Sequence, residues 1–360
     1  MYSLTINQKS FSKRYPHIEK MIPHVRKIMG KITQSISFST HSSNKTLSHI
    51  DQKEIMELVS SRFVEEHIKK DILKNYKRVS VYTFEYKTNT ISLKINHRGE
   101  VEHMDIYILM VKIFTLLELV KKKKKHITLT LILTSHLKKL DTYSGFIGNN
   151  VNSGATYFRS GKSTKIVVFR QEEFMKVTLH ELIHFLQLDF ASSGEIVANT
   201  VLGTFAINKN YEHININEGY TECMALVYNS IFNSVLTKTN INLILHCELE
   251  HSRKMATRIL GYFGMEHIIA SLNVSSNNIL IQRSNILAYF FIKFACLLDL
   301  ETFMKTYPLG IKWRKKNIKQ FLSDTVKILR TEAFYPDNKY NLKNKSARMT
   351  QVSLIKLDHK

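Results

Sequence analysis

Residues 172–189 read EEFMKVTLHELIHFLQLD, and this stretch contains the motif HExxH at residues 180–184. It contains no glycine or proline, so it predicts one continuous helix. In a helix His180 and His184 lie one turn apart on the same face, where both imidazoles can bind one Zn²⁺ ion. Glu181 lies beside them and is placed to accept a proton from a metal-activated water. A pair of surface histidines on an amphipathic helix is the alternative interpretation.

A third metal ligand is expected from an acidic segment further along the chain. Residues 217–222 read NEGYTE and open another helical pattern. Glu218 and Glu222 are four residues apart, so they share one face of that helix. We expect Glu218 to complete the metal site, and Glu222 to accept the N–H of a ligand histidine and fix its orientation. The reverse assignment of the two glutamates is the alternative.

These two motifs together resemble the gluzincin zinc peptidases. In that group an HExxH helix is followed by a later helix that carries a ligand glutamate and a supporting acid. The resemblance covers only a short part of the chain, and the gap between the two motifs is longer here than in thermolysin-like enzymes. It implies Zn²⁺ as the cofactor, a peptide or protein as the substrate and Glu181 as the general base. It also implies His180, His184 and Glu218 as ligands and Glu222 as their support.

A second resemblance spans roughly residues 130–300. Five segments resemble uncharacterised metallopeptidase-like proteins of large cytoplasmic DNA viruses: NSGAT at 152–156, IVVFRQEE at 166–173, HELIH at 180–184, LDF at 188–190 and SNILAY at 284–289. The resemblance implies a viral origin and a zincin-like core. A viral protein of this kind is expected in the host cytoplasm or in the virion.

Further residues are predicted to line the site. In zincin-like folds the strand before the metal-binding helix forms the sheet edge, so Ile166, Val167 and Val168 are predicted to pair with an extended substrate. Tyr289 and Arg283 lie in the virus-like region and are predicted to stabilise an oxyanion, because both can donate hydrogen bonds. The other candidates for that role are Tyr220, His213, His246 and His251.

The charge of the chain is high and unevenly distributed. The net charge is +22, but residues 171–250 hold ten acids and only three lysines. Basic residues are dense in Lys121 to Lys125 and after residue 310, and such patches can bind nucleic acid or an anionic surface. The lysine run also follows an apolar helical pattern, where cations favour the helix C-terminus.

Composition restricts the class of protein. Hydrophobic residues make up 44% of 360 residues and there are three cysteines, which excludes a disordered chain and a disulfide scaffold. Every long apolar stretch carries charged residues, so no transmembrane segment is predicted. We therefore expect an intracellular protein.

The order of the patterns predicts an α+β fold of zincin-like type. Strands at 79–86, 91–95, 127–134 and 165–169, with a helix at 104–120, predict a small mixed sheet; a mainly helical half follows, with the active-site helix between them. We expect an N-terminal extension at 1–48, a zincin-like metallopeptidase domain at 49–310 and a basic C-terminal tail at 311–360. The expected function is zinc-dependent peptide hydrolysis. The alternative is a catalytically inactive viral structural or host-interaction protein of the same fold, with nucleic acid bound by its basic patches.

Overall fold

The structure is a computed structural model. It describes residues 14–60, 64–99, 102–123, 125–139, 151–159, 162–191, 215–262, 285, 287–331 and 347–351.

A six-stranded mixed sheet forms the central layer of the protein. Its strands are β1 (Ser37–Thr46), β2 (Arg78–Tyr86), β3 (Asn89–His97), β4 (His126–Thr134), β5 (Gly154–Arg159) and β6 (Lys162–Arg170). They are arranged in the order β1-β2-β3-β4-β6-β5. The pairs β3–β4 and β4–β6 are parallel, whereas the outer pairs β1–β2, β2–β3 and β5–β6 are antiparallel.

Ten α-helices and one π-helical turn are described. The helices are α1 (Pro16–Ser35), α2 (His49–Ser60), α3 (Glu66–Asn75), α4 (His103–Leu119), α5 (Phe174–Phe185), α6 (Asn217–Thr237), α7 (Ile241–Tyr262), α8 (Lys293–Leu298), α9 (Leu300–Thr306) and α10 (Lys315–Thr331). The π-helical turn, Leu287–Ile292, runs directly into α8. None of the described helices combines the length and the apolar character that a membrane crossing requires.

The sheet is covered on both faces because its central strands are apolar on both sides. In β6, Ile166 and Val168 belong to the large core formed with α4, α5 and α6. Val167 and Phe169 point the other way and pack in a smaller core with α2 and α3. This three-layer arrangement holds α5 between the sheet and the later helices, where only His184 among its twelve residues is more than 9% exposed.

The predicted α+β class is confirmed, with a mixed sheet before a helical half and α5 between them. Residues 50–76 have helical spacing, and they contain most of α2 and all of α3. The strands β1 and β5 were not predicted. β1 reads SFSTHSSNKT, which has no apolar alternation, and β5 follows a stretch rich in glycine, serine and asparagine.

Segments expected to lie outside a central domain contribute to the same core. Ile18 and Ile32 of α1 are fully buried in it, and so are Ile318 and Phe321 of α10. The described residues are therefore not divided at 48 or at 310. Seven basic residues in the described part of the predicted tail are exposed: Lys312, Arg314, Lys315, Lys316, Lys319, Lys327 and Arg330.

Candidate metal centre

Helices α5 and α6 pack against each other and bring the two acidic motifs together. α5 supplies His180 and His184, and the first turn of α6 supplies Glu218. The Nε2 atoms of the two histidines are 3.0 Å apart. Glu218 Oε2 lies 3.0 Å from His180 Nε2 and 3.4 Å from His184 Nε2. These three side chains can hold one metal ion.

The spacing of these atoms fits a tetrahedral ion. Ligands bound at about 2.0–2.1 Å with tetrahedral angles lie about 3.3 Å from each other, which is close to the separations in the structure. The described part of the chain contains no other group of three histidine, cysteine or acidic side chains with this convergence.

Each of the two histidines also has a carboxylate within hydrogen-bond distance of its second ring nitrogen, Nδ1. Glu222 Oε2 is 3.0 Å from His180 Nδ1, and Asp189 Oδ2 is 2.5 Å from His184 Nδ1. A carboxylate accepts the Nδ1–H, so the Nε2 lone pairs face each other and Glu218. Three electron-rich atoms at these distances repel one another unless a cation, either protons or a metal ion, lies among them.

The electrostatics of the site favour positive charge at this position. Burial lowers the pKa of His180, but its hydrogen bonds to Glu218 and Glu222 raise it more, so the pKa lies above the ordinary histidine value. The pKa of His184 is likewise raised, against burial, by Glu218 and Asp189. Burial raises the pKa of Glu218, yet the two imidazoles hold it far below the usual range. The carboxylate is therefore ionised and available as a ligand.

Glu181 is buried beside the ligands and is held by the neighbouring edge of the sheet. Thr156 Oγ1 in β5 lies 2.8 Å from both Glu181 Oε2 and the Glu181 carbonyl oxygen. Burial raises the pKa of Glu181 above that of an ordinary glutamate, although His180 and His184 oppose this shift. Gly154 allows the close approach of β5, because a Cβ there would lie 2.9 Å from Val177 Cγ1 and 3.0 Å from Glu181 Cγ.

Tyr289 reaches the site from the π-helical turn. Its hydroxyl lies 3.1 Å from Glu218 Oε2, and its ring centroid is 6.1 Å from that of His180. A π-helical turn widens the helix locally and often marks a functional position. The turn lies close to α6 at Gly219, where a Cβ would lie 2.7 Å from Ile292 Cβ and 2.8 Å from the Ala288 carbonyl oxygen.

A chain of buried ion pairs lies behind the site. Lys176 Nζ is 2.5 Å from Glu222 Oε1, so this lysine and His180 hold the two oxygens of one carboxylate. Burial raises the pKa of Glu222, but Lys176 and His180 lower it well below the ordinary value. Next to this pair, Lys138 Nζ is 2.6 Å from Glu173 Oε2, and both side chains are at most 1% exposed. The network fixes Glu222 and, through it, the ring of His180.

The prediction that the strand before α5 forms the sheet edge was wrong. β6 is hydrogen-bonded to β4 on one side and to β5 on the other. Its main chain therefore has no free edge, and Ile166, Val167 and Val168 are at most 2% exposed. The outermost described strand on this side is β5, which contains Thr156.

The other candidates for oxyanion stabilisation either make contacts away from the two histidines or lie outside the described residues. Tyr220 is fully buried, with its hydroxyl 3.4 Å from the carbonyl oxygens of Tyr307 and Pro308. His246 lies 3.5 Å from Arg14, and His251 contacts the carbonyl oxygen of Arg348 at 3.0 Å. Arg283 and His213 lie outside the described residues.

Sequence reasoning did not predict the roles of Asp189, Thr156 and Lys176. Asp189 lies five residues after His184, and the positive φ of 53° at Gln187 turns the chain back toward the ligand at the end of α5. An acid shortly after an HExxH helix was a usable signal. Thr156 carries no such signal, because only the packing of β5 against α5 brings it to the site. Lys176 lies in α5 four residues before His180, on the same face, but its contact with Glu222 depends on the packing of α6 against α5.

Comparisons with known proteins give one distant relative. No protein-family model matches the chain, and no solved structure matches it. The uncharacterised protein R210 of Acanthamoeba polyphaga mimivirus is 27% identical over 177 residues, which cover 45% of this chain and 43% of R210. The chain thus matches less than half the length of this relative. The similarity supports a viral origin for the chain.

Proposed function

We propose that this protein is a zinc-dependent peptidase of gluzincin type with a zincin-like fold. One observation carries the proposal: two imidazole nitrogens and a carboxylate oxygen converge at 3.0–3.4 Å beside a buried glutamate that is not one of the ligands. Two histidines and one glutamate form a ligand set that zinc peptidases use, and it leaves one position open for water or substrate. A purely structural zinc site would have four protein ligands and no need for Glu181.

The chemistry proposed for the chain centres on Glu181. Zinc, when bound, lowers the pKa of a coordinated water toward about 7 and polarises a carbonyl group. Glu181 accepts the proton of the attacking water and then delivers it to the amine that leaves when the peptide C–N bond breaks. Its raised pKa suits this exchange, because a base with a pKa nearer to neutral both accepts and returns a proton efficiently. Thr156 orients the carboxylate for both steps.

Tyr289 is the proposed oxyanion donor. In the structure its hydroxyl donates to Glu218 Oε2. A small rotation of the side chain would redirect the same proton to the oxygen of a tetrahedral intermediate, which carries more negative charge than the substrate carbonyl. Burial raises the pKa of Tyr289 well above the ordinary tyrosine value, so the hydroxyl keeps its proton for this purpose.

The proposed substrate is an extended peptide that pairs with β5. An outer strand offers main-chain N–H and C=O groups to a peptide in this mode of recognition. Thr156 connects β5 directly to Glu181, so a peptide along β5 would pass beside the metal ligands. Phe158, 51% exposed near the end of the strand, offers an apolar contact for a side chain of the substrate.

The proposal is tested by metal content together with turnover. Purified wild-type protein should contain one zinc per chain by inductively coupled plasma mass spectrometry, and His184→Ala should contain far less. Glu181→Gln should retain zinc and lose peptide hydrolysis by a factor on the order of 10²–10⁴. If the wild type binds no divalent metal, or if Glu181→Gln is as active as the wild type, the proposal fails.

A zinc-loaded protein that cleaves nothing across a broad peptide library would favour the alternative, a catalytically inactive viral structural or host-interaction protein with a zincin-like fold. The presence of a buried, oriented Glu181 argues against it, because zinc binding alone does not need this residue.

A further inference from the structure

Residues 347–351, which we call the C-terminal segment, lie in a slot lined by buried charged side chains. Five residues form the slot: three lie on helices, Glu248 and His251 in α7 and Lys293 at the start of α8, and two lie outside helices and strands, Glu173 before α5 and Lys138 after β4. Glu173, Glu248 and Lys293 have fully buried side chains, and Ala347, Met349 and Thr350 are at most 3% exposed. The segment is therefore part of the interior.

Most of the hydrogen bonds of the segment are made by its main chain, whereas the side chains of Ala347 and Met349 pack in the large hydrophobic core. Glu173 Oε1 accepts hydrogen bonds from the N–H groups of Met349, at 3.0 Å, and Thr350, at 2.5 Å. Glu248 Oε2 accepts the N–H of Gln351 at 3.2 Å, and its other oxygen accepts the Thr350 hydroxyl.

Two side chains donate hydrogen bonds to carbonyl oxygens of the segment. Lys293 Nζ donates to the Met349 carbonyl oxygen at 2.9 Å, and His251 Nε2 donates to the Arg348 carbonyl oxygen at 3.0 Å. The segment is also a donor at its start, where the Ala347 N–H donates to the Lys138 main-chain carbonyl oxygen at 3.0 Å. Two glutamates thus accept three N–H groups of the segment, and a lysine and a histidine donate to two of its carbonyl oxygens, which is a pattern of main-chain recognition.

An empty slot would be unfavourable. The Met349 carbonyl oxygen is the hydrogen-bond acceptor of Lys293 among the described residues, so without the segment this buried ammonium would lose its acceptor. A buried charge that loses its hydrogen bonds destabilises the protein by several kcal/mol unless water or another ligand replaces them. The slot is therefore more stable with the segment, or with a ligand that offers the same acceptor, than when it is empty.

The slot adjoins the buried ion pairs that hold Glu222 and, through it, the proposed metal ligand His180. Glu173, which binds the segment, is paired with Lys138 and interacts electrostatically with Lys176. Lys176 in turn holds Glu222, the carboxylate on His180 Nδ1. Lys293 also stabilises the charge of Glu222. Displacement of the segment would remove hydrogen bonds from both Glu173 and Lys293 and would thereby change the electrostatic environment of Glu222.

We propose that this slot is a peptide-binding site whose resident ligand is the main chain of residues 347–351, and that its occupancy holds Glu222 and the metal ligand His180 in place. The second half of this proposal rests on the proposed metal site, whereas the first half does not. The site takes a bent peptide segment that presents two successive N–H groups to Glu173 and a carbonyl oxygen to Lys293.

Hydrogen exchange of the full chain, without metal, tests the binding. The amides of Met349, Thr350 and Gln351 should exchange at least about tenfold more slowly than in a free peptide, because they are bonded to buried carboxylates. Glu248→Gln should accelerate exchange at Gln351, whereas Glu250→Gln, on the exposed side of the same helix, should not. Exchange at free-peptide rates in the wild type would overturn the proposal.

A second experiment tests whether the slot accepts a separate peptide. In the full chain, Met349→Pro removes one N–H that Glu173 accepts and should displace the segment. The peptide acetyl-Ala-Arg-Met-Thr-Gln-amide should then bind and raise the melting temperature of this variant. The same peptide with N-methyl groups on its Met and Thr amides should not, because it lacks both donors. Equal effects of the two peptides, or no effect of either, would contradict main-chain recognition.

Zinc affinity tests the link to the metal centre. Glu248→Gln should raise the zinc Kd about tenfold, within the range seen when an outer partner of a ligand is altered, and Glu250→Gln should leave it unchanged. An unchanged Kd in Glu248→Gln, with the wild type binding zinc, would overturn the link. If the wild type binds no zinc, the proposed function fails, and the exchange and peptide experiments still decide the binding site.

Discussion

At the scale of single residues, the side chains behind the proposed metal ligands are expected to influence the affinity of the site for metal. Asp189 accepts the Nδ1–H of His184 and is itself bonded to Thr221 Oγ1 at 3.2 Å. Asp189→Ala should lower zinc affinity by about 10–100-fold, because the ring of His184 loses its orienting partner and some basicity. Competition with a metal indicator measures this change. Glu57→Ala, which removes an exposed carboxylate, should have no effect; a comparable loss there would contradict the role of Asp189.

Thr156 gives a separate prediction about the proposed base. Thr156→Val keeps the shape of the side chain but removes the hydroxyl that orients Glu181. We expect zinc content to stay at the wild-type level and kcat to fall about tenfold, because a misoriented base transfers protons less efficiently. Thr156→Ser restores the hydroxyl and should recover most of the activity. Equal rates for the valine and serine variants would show that the hydroxyl does not position Glu181.

Lys112 makes the stability of the protein depend on pH. Burial in the core lowers its pKa from 10.5 to about 7, and its Nζ is hydrogen-bonded to Asn229 Oδ1 at 2.9 Å and Asn233 Oδ1 at 2.7 Å. Between these two pKa values the unfolded chain binds the proton and the folded chain does not, so the free energy of unfolding rises with pH in this window.

The comparison with Lys112→Met isolates this effect. Relative to the variant, the wild type should gain on the order of a few kcal/mol of unfolding free energy between pH 7 and pH 10. Urea denaturation at several pH values measures the difference. Lys319→Met, at an exposed position, should follow the wild-type pH dependence, and parallel curves for wild type and Lys112→Met would refute the prediction.

The sequence identified most of the residues that converge on the site. His180 and His184 follow from helical periodicity, since a spacing of four residues places side chains on one face whatever the tertiary structure. Glu218 was expected from the acidic segment at 217–222, with Glu222 as the alternative. Lys176 and Thr156 were not identified, because their contacts depend on which strand and helix pack against α5. Tyr289 was chosen from a resemblance, and its side chain lies at the site because of a π-helical turn that no periodicity indicates.

At the scale of secondary-structure elements, the close approach of α6 to the π-helical turn positions Tyr289. Gly219→Ala would introduce a methyl group against Ile292 and the Ala288 carbonyl oxygen. Overpacking of this kind costs about 1–3 kcal/mol, and it should also move Tyr289 away from Glu218 and reduce activity. Thermal unfolding and turnover measure the two effects.

Gly30→Ala in α1 is the matched control. Nothing lies within 4 Å of a Cβ at this exposed helical position, so the substitution should stabilise the protein by about 0.5–1 kcal/mol. If Gly219→Ala has the same effect as Gly30→Ala, the contact between α6 and the π-helical turn does not constrain the site.

Elements with a strong apolar pattern were predicted well, and polar ones were not. The hairpin of β2 and β3, helix α4 and strand β4 alternate or repeat their apolar residues in a way that burial in the core requires. β1 forms by main-chain pairing with β2, although its sequence is almost wholly polar. Local propensity cannot indicate such a strand, because its stability comes from the neighbour with which it pairs.

At the scale of the whole molecule, the net charge is +22, and basic residues are clustered on α10. Lys315, Lys316, Lys319 and Lys327 are exposed on the face of α10 opposite the core. Replacement of all four by glutamine should weaken binding to duplex DNA and reduce its dependence on salt, because phosphate contacts release bound counterions. Fluorescence anisotropy over a range of salt concentrations measures both quantities.

Helix α1 provides a control with the same loss of charge. Lys20, Arg26, Lys27 and Lys31 are also exposed, and their replacement by glutamine changes the net charge equally. A larger effect of the α10 variant would indicate a defined surface for an anionic partner. Equal effects of the two variants would attribute DNA binding to net charge alone.

The two outer strands of the described sheet differ in how readily a further strand could pair with them. β5 is the outermost described strand beside Glu181, whereas β1 is the outermost on the far side, with serine, threonine, asparagine and lysine side chains and two irregularities in its pairing register. Polar residues and bulges of this kind discourage the addition of further strands. A fibre in which sheets pair edge to edge requires two compatible sheet edges on each molecule. A molecule whose two sheet edges differ in this way can bind a peptide along one edge and still remain dispersed at high concentration.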